Sequence, residues 1–523
     1  METAPEKIFS EYEKATAYKA SLGEKGIFEQ SRINERFYVG DQWYGANCGN
    51  DRPLVRHNVI KRIGDYKMSQ ITENPVKISF TADDTAFSEK DGVREIKDKI
   101  KQNGDFRFKG KVSSEEINAL LSALAGHRNV IAKRTGLDEL CGNLLRRAFT
   151  DGGCLLYTYL KGTSGDIGCE IADNKSICFA DPELCDLQSQ EYIIAAGNRP
   201  VREVLNEAKA NGADAGTLKK LEAQASRGKI LVLTKFYKEY KDNGASRVMC
   251  VKVTENTVVR TPFDTKLSLY PFSQFNWEQR TGCAYGESEI TYLIPNQIAI
   301  NRMITAGVWS AMTSGMPMMV INGDTVTCDI TNDPGQIIKV YGSNEDVEGA
   351  VRYITPPSSA ADFVSATAEL ISNTLTQSGA SAAALGDSNL NNATAISVLQ
   401  SAANLPLKLI KSRYLSFLEQ TALIWLDFIF AHYGFIKLKI EDNSGVWYFP
   451  FDSERYKGLS VSAVATPEEN NGITREDTAS ALAELFDKGV ISKAQYLKRI
   501  PEGLIPDIKE LIEKAEEEKE NDV

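Results

Sequence analysis

The sequence predicts a mixed α+β protein, and three observations predict it. Strand-like runs such as CLLYTYL, KILVLTKFYKEY and RVMCVKV crowd the stretch after Asp151-Gly152-Gly153. Two helical rods, from Pro295 to about Ser314 and from Ser359 to about Ser378, flank a short strand-rich segment. A long helical pattern then runs to Tyr433, and FIKLKIEDNSGVWYFPFD after it reads as a hairpin. With 42% hydrophobic and 25% charged residues over 523 positions, the chain is expected to fold around several cores rather than to stay disordered.

Taken in order, residues 5 to 22 read as a charged peripheral helix with one modest apolar stripe. NVIKRIGDYKMSQITE, 58 to 73, has helical spacing, and Asn74-Pro75 stops it before the strand VKISFTA. Residues 113 to 150 are helical, with Ser113 and Glu116 as a capping box and punctuation at Gly126 and Gly136. The charged, Ala-rich stretch 200 to 228 reads as a surface helical hairpin inserted into the sheet region. Pro295 suits the first position of a rod that spans roughly 30 Å over about 20 residues, closed by Gly315 and Pro317. The segment 316 to 356 has turn signals at Asn322-Gly323 and Asp333-Pro334-Gly335. The second rod starts from a capping box of Ser359 with Asp362 and ends at Gly379. After the bland tract 379 to 392, a helix capped by Asn391 or Asn392 continues to Tyr433, and Pro406 inside it predicts a kink. The tail from Thr474 is helical and ends in the acidic run KAEEEKENDV.

Charge and motifs narrow the chemistry. A net charge of −11 disfavours tight grip on nucleic acid, which needs clustered Lys and Arg against phosphates. Nine cysteines without a C-x-x-C pair fit reduced, buried structural thiols. The odd cysteine count fits synthesis in the cytoplasm, the amino terminus carries no signal-peptide pattern, so no secretion is expected, and TALIWLDFIFAHYGF is too short and too interrupted by Asp427 and His432 to span a bilayer, so no membrane is expected. The nearest approach to a phosphate loop, GDFRFKGKV, has the wrong spacing and Val at the hydroxyl position. Only His57, His127 and His432 are present, with no H-E-x-x-H, and no G-x-S-x-G elbow occurs. Asp181 with Asp186 reads as a solvated loop. The aromatics of 236 to 240 and 447 to 451 could stack on bases but alternate as half-buried strand residues do. No enzyme, no metal and no cofactor are expected.

The order of these features resembles the portal proteins of tailed double-stranded DNA bacteriophages. The residues that carry the likeness are FYVGDQW at 37 to 43, NVIKRIGDYKMSQITENPVKISF at 58 to 80, GESEITYLIPNQIAINRM at 286 to 303, the strand-rich segment between two rods, and SGASAAALGDSNLNNATAISVLQ leading into the long helix. The resemblance implies a portal fold. Its α/β wing would comprise 1–285, with the insert 200–228, and the wing strands 435–465. Its stem helices would be 286–315 and 357–378, with a β-rich clip at 316–356 between them. A tunnel loop at 379–392, a long kinked helix at 393–434 and a helical crown with acidic tail at 466–523 would complete it. It also implies a homo-oligomeric ring, usually a dodecamer, at one capsid vertex of the virion, through which double-stranded DNA is packaged and ejected. The implied partners are the terminase packaging ATPase, the major capsid protein and the head-tail connector or adaptor proteins.

The bland tract fits that role. A wall past which DNA slides should offer weak, replaceable contacts, because each charged contact holds the duplex in place. Ser378, Ser381, Ser388, Asn389, Asn391 and Asn392 offer neutral hydrogen-bonding groups, Gly379 and Gly386 give backbone freedom, and the sole charge, Asp387, repels phosphate. By composition alone the tract also reads as a surface linker. In the clip-like segment Lys339 and Arg352 are candidates for a ring of positive charge, or for a solvated face. Asn322, Asp324, Asn332, Asp333, Asn344, Glu345 and Asp346 are candidates for contact with the packaging ATPase and later head-completion proteins. A metal-dependent nuclease or hydrolase with an unrecognised carboxylate site, and a scaffold or adaptor that forms no channel, are the competing readings.

Overall fold

In the computed structural model, the described residues are 3–43, 54–82, 113–162, 165–240, 246–314, 318–324, scattered positions from 326 to 350, 351–354, 360–380, 405–442, 445–456, 459–467, 482–488 and 496. They form the mixed α+β arrangement. Helix α1 (Pro5–Ser21) precedes α2 (Gly26–Val39) and α3 (Val59–Thr72), and strand β1 (Val76–Ala82) follows as the Asn74-Pro75 stop requires. Then come α4 (Ser114–Thr135) and α5 (Leu137–Asp151), parted by Gly136 at φ 64°, a left-handed conformation that glycine adopts without steric cost. Gly126 does not interrupt α4. It is there because a Cβ would lie 2.5 Å from Ile440 Cγ2, so the glycine admits a strand against the helix.

Two sheets follow. Strands β2 (Gly153–Lys161), β3 (Asp166–Asp173) and β9 (Phe272–Asn276) form one in the order β3-β2-β9, with Tyr157 opposite both Glu170 and Phe272. Strands β4 (Ile177–Phe179), β5 (Tyr192–Pro200), β6 (Lys229–Tyr240), β7 (Ser246–Val253) and β8 (Val258–Asp264) form the other, antiparallel and in sequence order. The insert folds as expected into a helical hairpin, α6 (Val201–Ala210) and α7 (Ala215–Ala223), at the turn from β5 to β6. Its apolar side chains Val204, Ala208 and Leu221 close on Ile230, Val232 and Val259 of the sheet, a small core of its own.

The second half begins with α8 (Glu289–Ser314), then β10 (Met318–Ile321), β11 (Val351–Ile354) and α9 (Ala360–Gln377). After a 3₁₀ turn at Leu405–Leu407 comes α10 (Lys408–His432), the hairpin β12 (Phe435–Asp442) and β13 (Gly445–Asp452), and β14 (Val461–Pro467). Strand β14 pairs antiparallel with β1 from Val76 opposite Pro467 to Ala82 opposite Val461, so the last described strand closes onto the first. The largest core has Trp277, Trp425, Phe149, Phe275 and Phe417 among its most deeply buried side chains, and a separate cluster joins Ile8 of α1 to Ile194, Leu233 and Val251 of the five-stranded sheet. By length and composition Leu405–His432 could cross a membrane, and 56% of that apolar stretch is buried inside the protein.

Several expectations need correction. The first rod begins at Glu289, and Pro295 sits inside it. Ser288 supplies the start: its Oγ accepts from Ile290 N at 3.2 Å and donates to Phe149 O at 2.6 Å, so tertiary contact extends the helix upstream of the proline. Ser113 accepts from Glu116 N at 3.2 Å, but the Glu116 carboxylate does not return to close a capping box. It is buried against Arg455, with contacts of 2.5 and 2.8 Å, and Tyr456, whose hydroxyl donates at 2.8 Å. Cys141, Cys154, Cys178, Cys250 and Cys283 are buried thiols as expected, whereas Cys185 is exposed. Burial pushes the Cys141 thiol up to about 11 and that of Cys250 up to about 12, which leaves both unreactive near neutral pH. Asp181 and Asp186 hold local turns, accepting from Glu183 N at 2.9 Å and Gln188 N at 3.1 Å.

The buried His127 links stability to pH. Burial is the main cause that lowers its pKa; a Lys439 carbonyl, 2.9 Å from Nδ1, opposes this, and Arg134 adds to it. The unfolded chain, titrating near 6.5, takes up the proton before the folded chain does, so stability is full above about 6.5 and is lost as pH falls below it. His127→Gln is expected to flatten the thermal-unfolding profile below about pH 6.5 relative to the parent chain.

Candidate functional site: the helical hairpin and the tract that follows it

Helices α8 and α9 pack on each other as an antiparallel pair. Asn296 Nδ2 donates to Thr374 Oγ1 at 3.4 Å near one end, and eleven residues along each helix Gly307 faces Phe363, where a Cβ on the glycine would lie 3.1 Å from the phenylalanine Cβ. Close approach needs the small residue there. Their threonines turn inward on their own helices: Thr313 donates to Trp309 O at 2.9 Å, Thr367 to Phe363 O at 2.6 Å, Thr374 to Leu370 O at 2.7 Å and Thr376 to Ser372 O at 2.8 Å. Hydroxyl donors are thus used internally. The two helices carry only Glu289, Arg302, Asp362 and Glu369 as charges. Val308, Met312 and Val364 are nevertheless exposed on them, and Val364 keeps 66% of its surface. A helix face that is bare yet almost uncharged is unusual for one that ends in water.

The base of the pair is fastened to the body by side chains that the sequence reading did not single out. Gln297, Asn301 and Thr305 lie four residues apart on one face of α8. Gln297 Oε1 accepts from Val59 N at 2.9 Å, its Nε2 donates to His57 O at 2.7 Å, Asn301 Oδ1 accepts from His57 N at 3.0 Å, and Thr305 Oγ1 accepts from Val55 N at 3.2 Å. The only signal in the sequence was polar Gln, Asn and Thr at helical spacing among apolar neighbours. Beside them, Lys67 Nζ meets Glu289 Oε1 at 2.6 Å, both nearly buried, and Trp277 Nε1 donates to Glu289 Oε2 at 3.0 Å. Glu278 next to this network titrates above the usual carboxylate range, first through burial and then through Glu289.

At the other end the strands β10 and β11 pair antiparallel, with Arg352 opposite Val320. Arg352 and Lys339 are exposed. Asn322 N donates to Ala350 O at 2.9 Å, and Asp324 N donates to Asn322 Oδ1 at 3.1 Å, so these two candidates form the turn after β10. Asn332, Asp333, Asn344, Glu345 and Asp346 lie outside the described residues, as does Ser359 of the expected capping box. Met319, Val320, Ile321, Ile337, Tyr341, Val347 and Ile354 are all exposed at this end.

The far end of α9 closes as a Schellman motif. Gly379 N donates to Thr376 O at 3.0 Å, Ala380 N donates to Leu375 O at 2.9 Å, and Gly379 takes φ 78°. Ser378 does not offer a free hydroxyl: it is 7% exposed and donates to Leu375 O at 2.8 Å. The remaining tract candidates, Ser381, Gly386, Asp387, Ser388, Asn389, Asn391 and Asn392, lie outside the described residues. The chain departs at Ala380 and returns at Leu405 to the same place, since a Cβ on Gly379 would lie 3.2 Å from Pro406 Cβ. Pro406 lies in the 3₁₀ turn at the head of α10, and the upstream half of the expected kinked helix lies outside the described residues. Gly379→Ala is expected to cost about 1–2 kcal/mol from left-handed strain alone, read as a lower midpoint in thermal unfolding, with the Pro406 contact adding to it.

Neither a protein-family model nor a curated protein sequence matches the chain.

Proposed function

We propose that this chain is a ring-forming DNA conduit of the phage portal type, without enzymatic activity of its own. The single observation that carries the reading is the α8–α9 pair, fastened at its base by Gln297, Asn301 and Glu289, almost uncharged, and bare over Val308, Met312 and Val364. Burying each such side chain contributes roughly 1.5–3 kcal/mol, so faces of this kind favour covering by neighbouring copies. A closed ring repeats one heterologous contact and places every pair around a common axis. The low charge of the pair then suits a wall along which a polyanion moves, because few fixed cations are present to hold phosphates.

The same reading gives roles to the neighbouring parts. In this reading the tract 379–392 lines the channel and supplies neutral contacts through Ser381, Ser388, Asn389, Asn391 and Asn392. The β10–β11 tip, with Asn322, Asp324, Lys339 and Arg352, is the contact for the terminase ATPase during filling and for connector proteins afterwards. The body would sit against the major capsid protein at one vertex of the virion. Mass photometry of the purified chain over a concentration series tests the reading. Closed rings, a dodecamer or a nearby number, are expected; a monomer at every concentration would contradict it.

A further inference from the structure

Between the two larger sheets lies a cleft of about 220 Å³ that the proposed conduit role does not use. Its floor is aromatic: Tyr157 stacks on Phe272 with ring centroids 5.0 Å apart, and Phe236 stands edge-on to Phe272 at 5.3 Å. Gly197 in β5 lines one wall, and a Cβ there would meet no heavy atom within 4 Å. The cleft is therefore wider than its packing requires. An apolar cavity of about 150 Å³ is enough to take up benzene, so this one has room for a phenyl or larger ring.

The mouth carries both signs of charge. On the lip formed by β5 and β7, Arg199 and Lys252 share one carboxylate, Glu207, at 3.9 and 2.5 Å, which leaves that lip net positive. On the β3 lip, Asp173 is paired with Arg147, whereas Glu170 is exposed and makes no hydrogen bond or ion pair among the described residues. The Tyr157 hydroxyl feels both lips. Burial is the main cause that raises its pKa; Cys250 and Glu170 add to it, and Arg199 opposes it. One net positive lip and one carboxylate without a partner among the described residues thus line the same cleft, above buried aromatic rings.

We propose that this cleft binds a small aromatic zwitterion, of which a free aromatic amino acid is the simplest member. The ring enters the cleft beside Tyr157, Ala195 and Gly197, the ligand carboxylate meets Arg199 and Lys252, and its ammonium meets Glu170. Ligand-observed NMR titration of the full chain with L-phenylalanine, phenethylamine and 3-phenylpropionate tests this whatever the oligomeric state. L-Phenylalanine is expected to bind, and each singly charged analogue to bind about tenfold more weakly, equivalent to about 1.4 kcal/mol. Glu170→Gln, at an exposed position, should weaken L-phenylalanine and phenethylamine about tenfold and leave 3-phenylpropionate unchanged. Gly197→Trp should fill the cleft and abolish all three. Absence of L-phenylalanine binding at millimolar concentration, equal affinity for 3-phenylpropionate, or binding unaltered in both variants would overturn the proposal.

Discussion

Val364→Asp is expected to leave the purified chain monomeric at concentrations where, on the proposed function, the parent chain would assemble into rings. The side chain is 66% exposed on α9, so the substitution leaves the fold of a single chain intact, and far-UV circular dichroism and the thermal midpoint should not change. In a ring the same position would be buried against a neighbour. Losing an apolar side chain there removes roughly 1.5–3 kcal/mol per interface, and burying an unpaired carboxylate adds a further penalty. At 1.4 kcal/mol per tenfold, neighbour affinity should fall by about 100-fold or more, at every junction of the ring. Met312→Asp on α8, also exposed, should act in the same direction. Sedimentation velocity distinguishes the outcomes: intact rings in both variants would remove this face of the hairpin from the assembly contact.

Glu289→Ala is expected to destabilise the chain by about 3–5 kcal/mol, because it strands a buried ammonium rather than deleting a pair. Lys67 and Glu289 have side chains only 7% and 10% exposed, and the Trp277 indole N–H loses its acceptor in the same step. Chemical denaturation should show a lower midpoint with an unchanged slope. The double substitution Lys67→Met with Glu289→Gln should recover most of the loss, since neither charge is then left uncompensated. Because this pair joins α3 to the first turn of α8, the single variant should also lower ring yield. That effect comes through the base of the hairpin, not through its exposed face.

Much of the architecture was legible because its signals are local. The Asn74-Pro75 stop, the polar insert between β5 and β6, the two rods around a small β tip and the Gly379 terminus each depend on residues within a few positions of one another. Other features depend on partners far away in the chain. Helix α8 starts at Glu289 rather than Pro295 because Ser288 reaches Phe149 and Glu289 reaches Lys67. Glu116 has capping-box spacing but is taken by Arg455 and Tyr456, which no local pattern announces. The pairing of β1 with β14 likewise joins the chain's two halves without any sequence signature. In the candidate site, Gln297, Asn301 and Thr305 were readable as a polar stripe, but that they hold the backbone of residues 55 to 60 was not. Ser378 looked like a free hydroxyl because its neighbours are small and polar; only the closing turn of α9 shows it occupied.

The most direct test of the central claim is an electron cryomicroscopy reconstruction of the assembled particles that places α8, α9 and the Gly379–Pro406 junction relative to the particle axis. The account predicts a closed ring whose hairpins stand side by side, with the junction turned toward a central opening wide enough for duplex DNA. Hairpins splayed onto the outer rim, with Gly379 and Pro406 facing away from any opening, would contradict it.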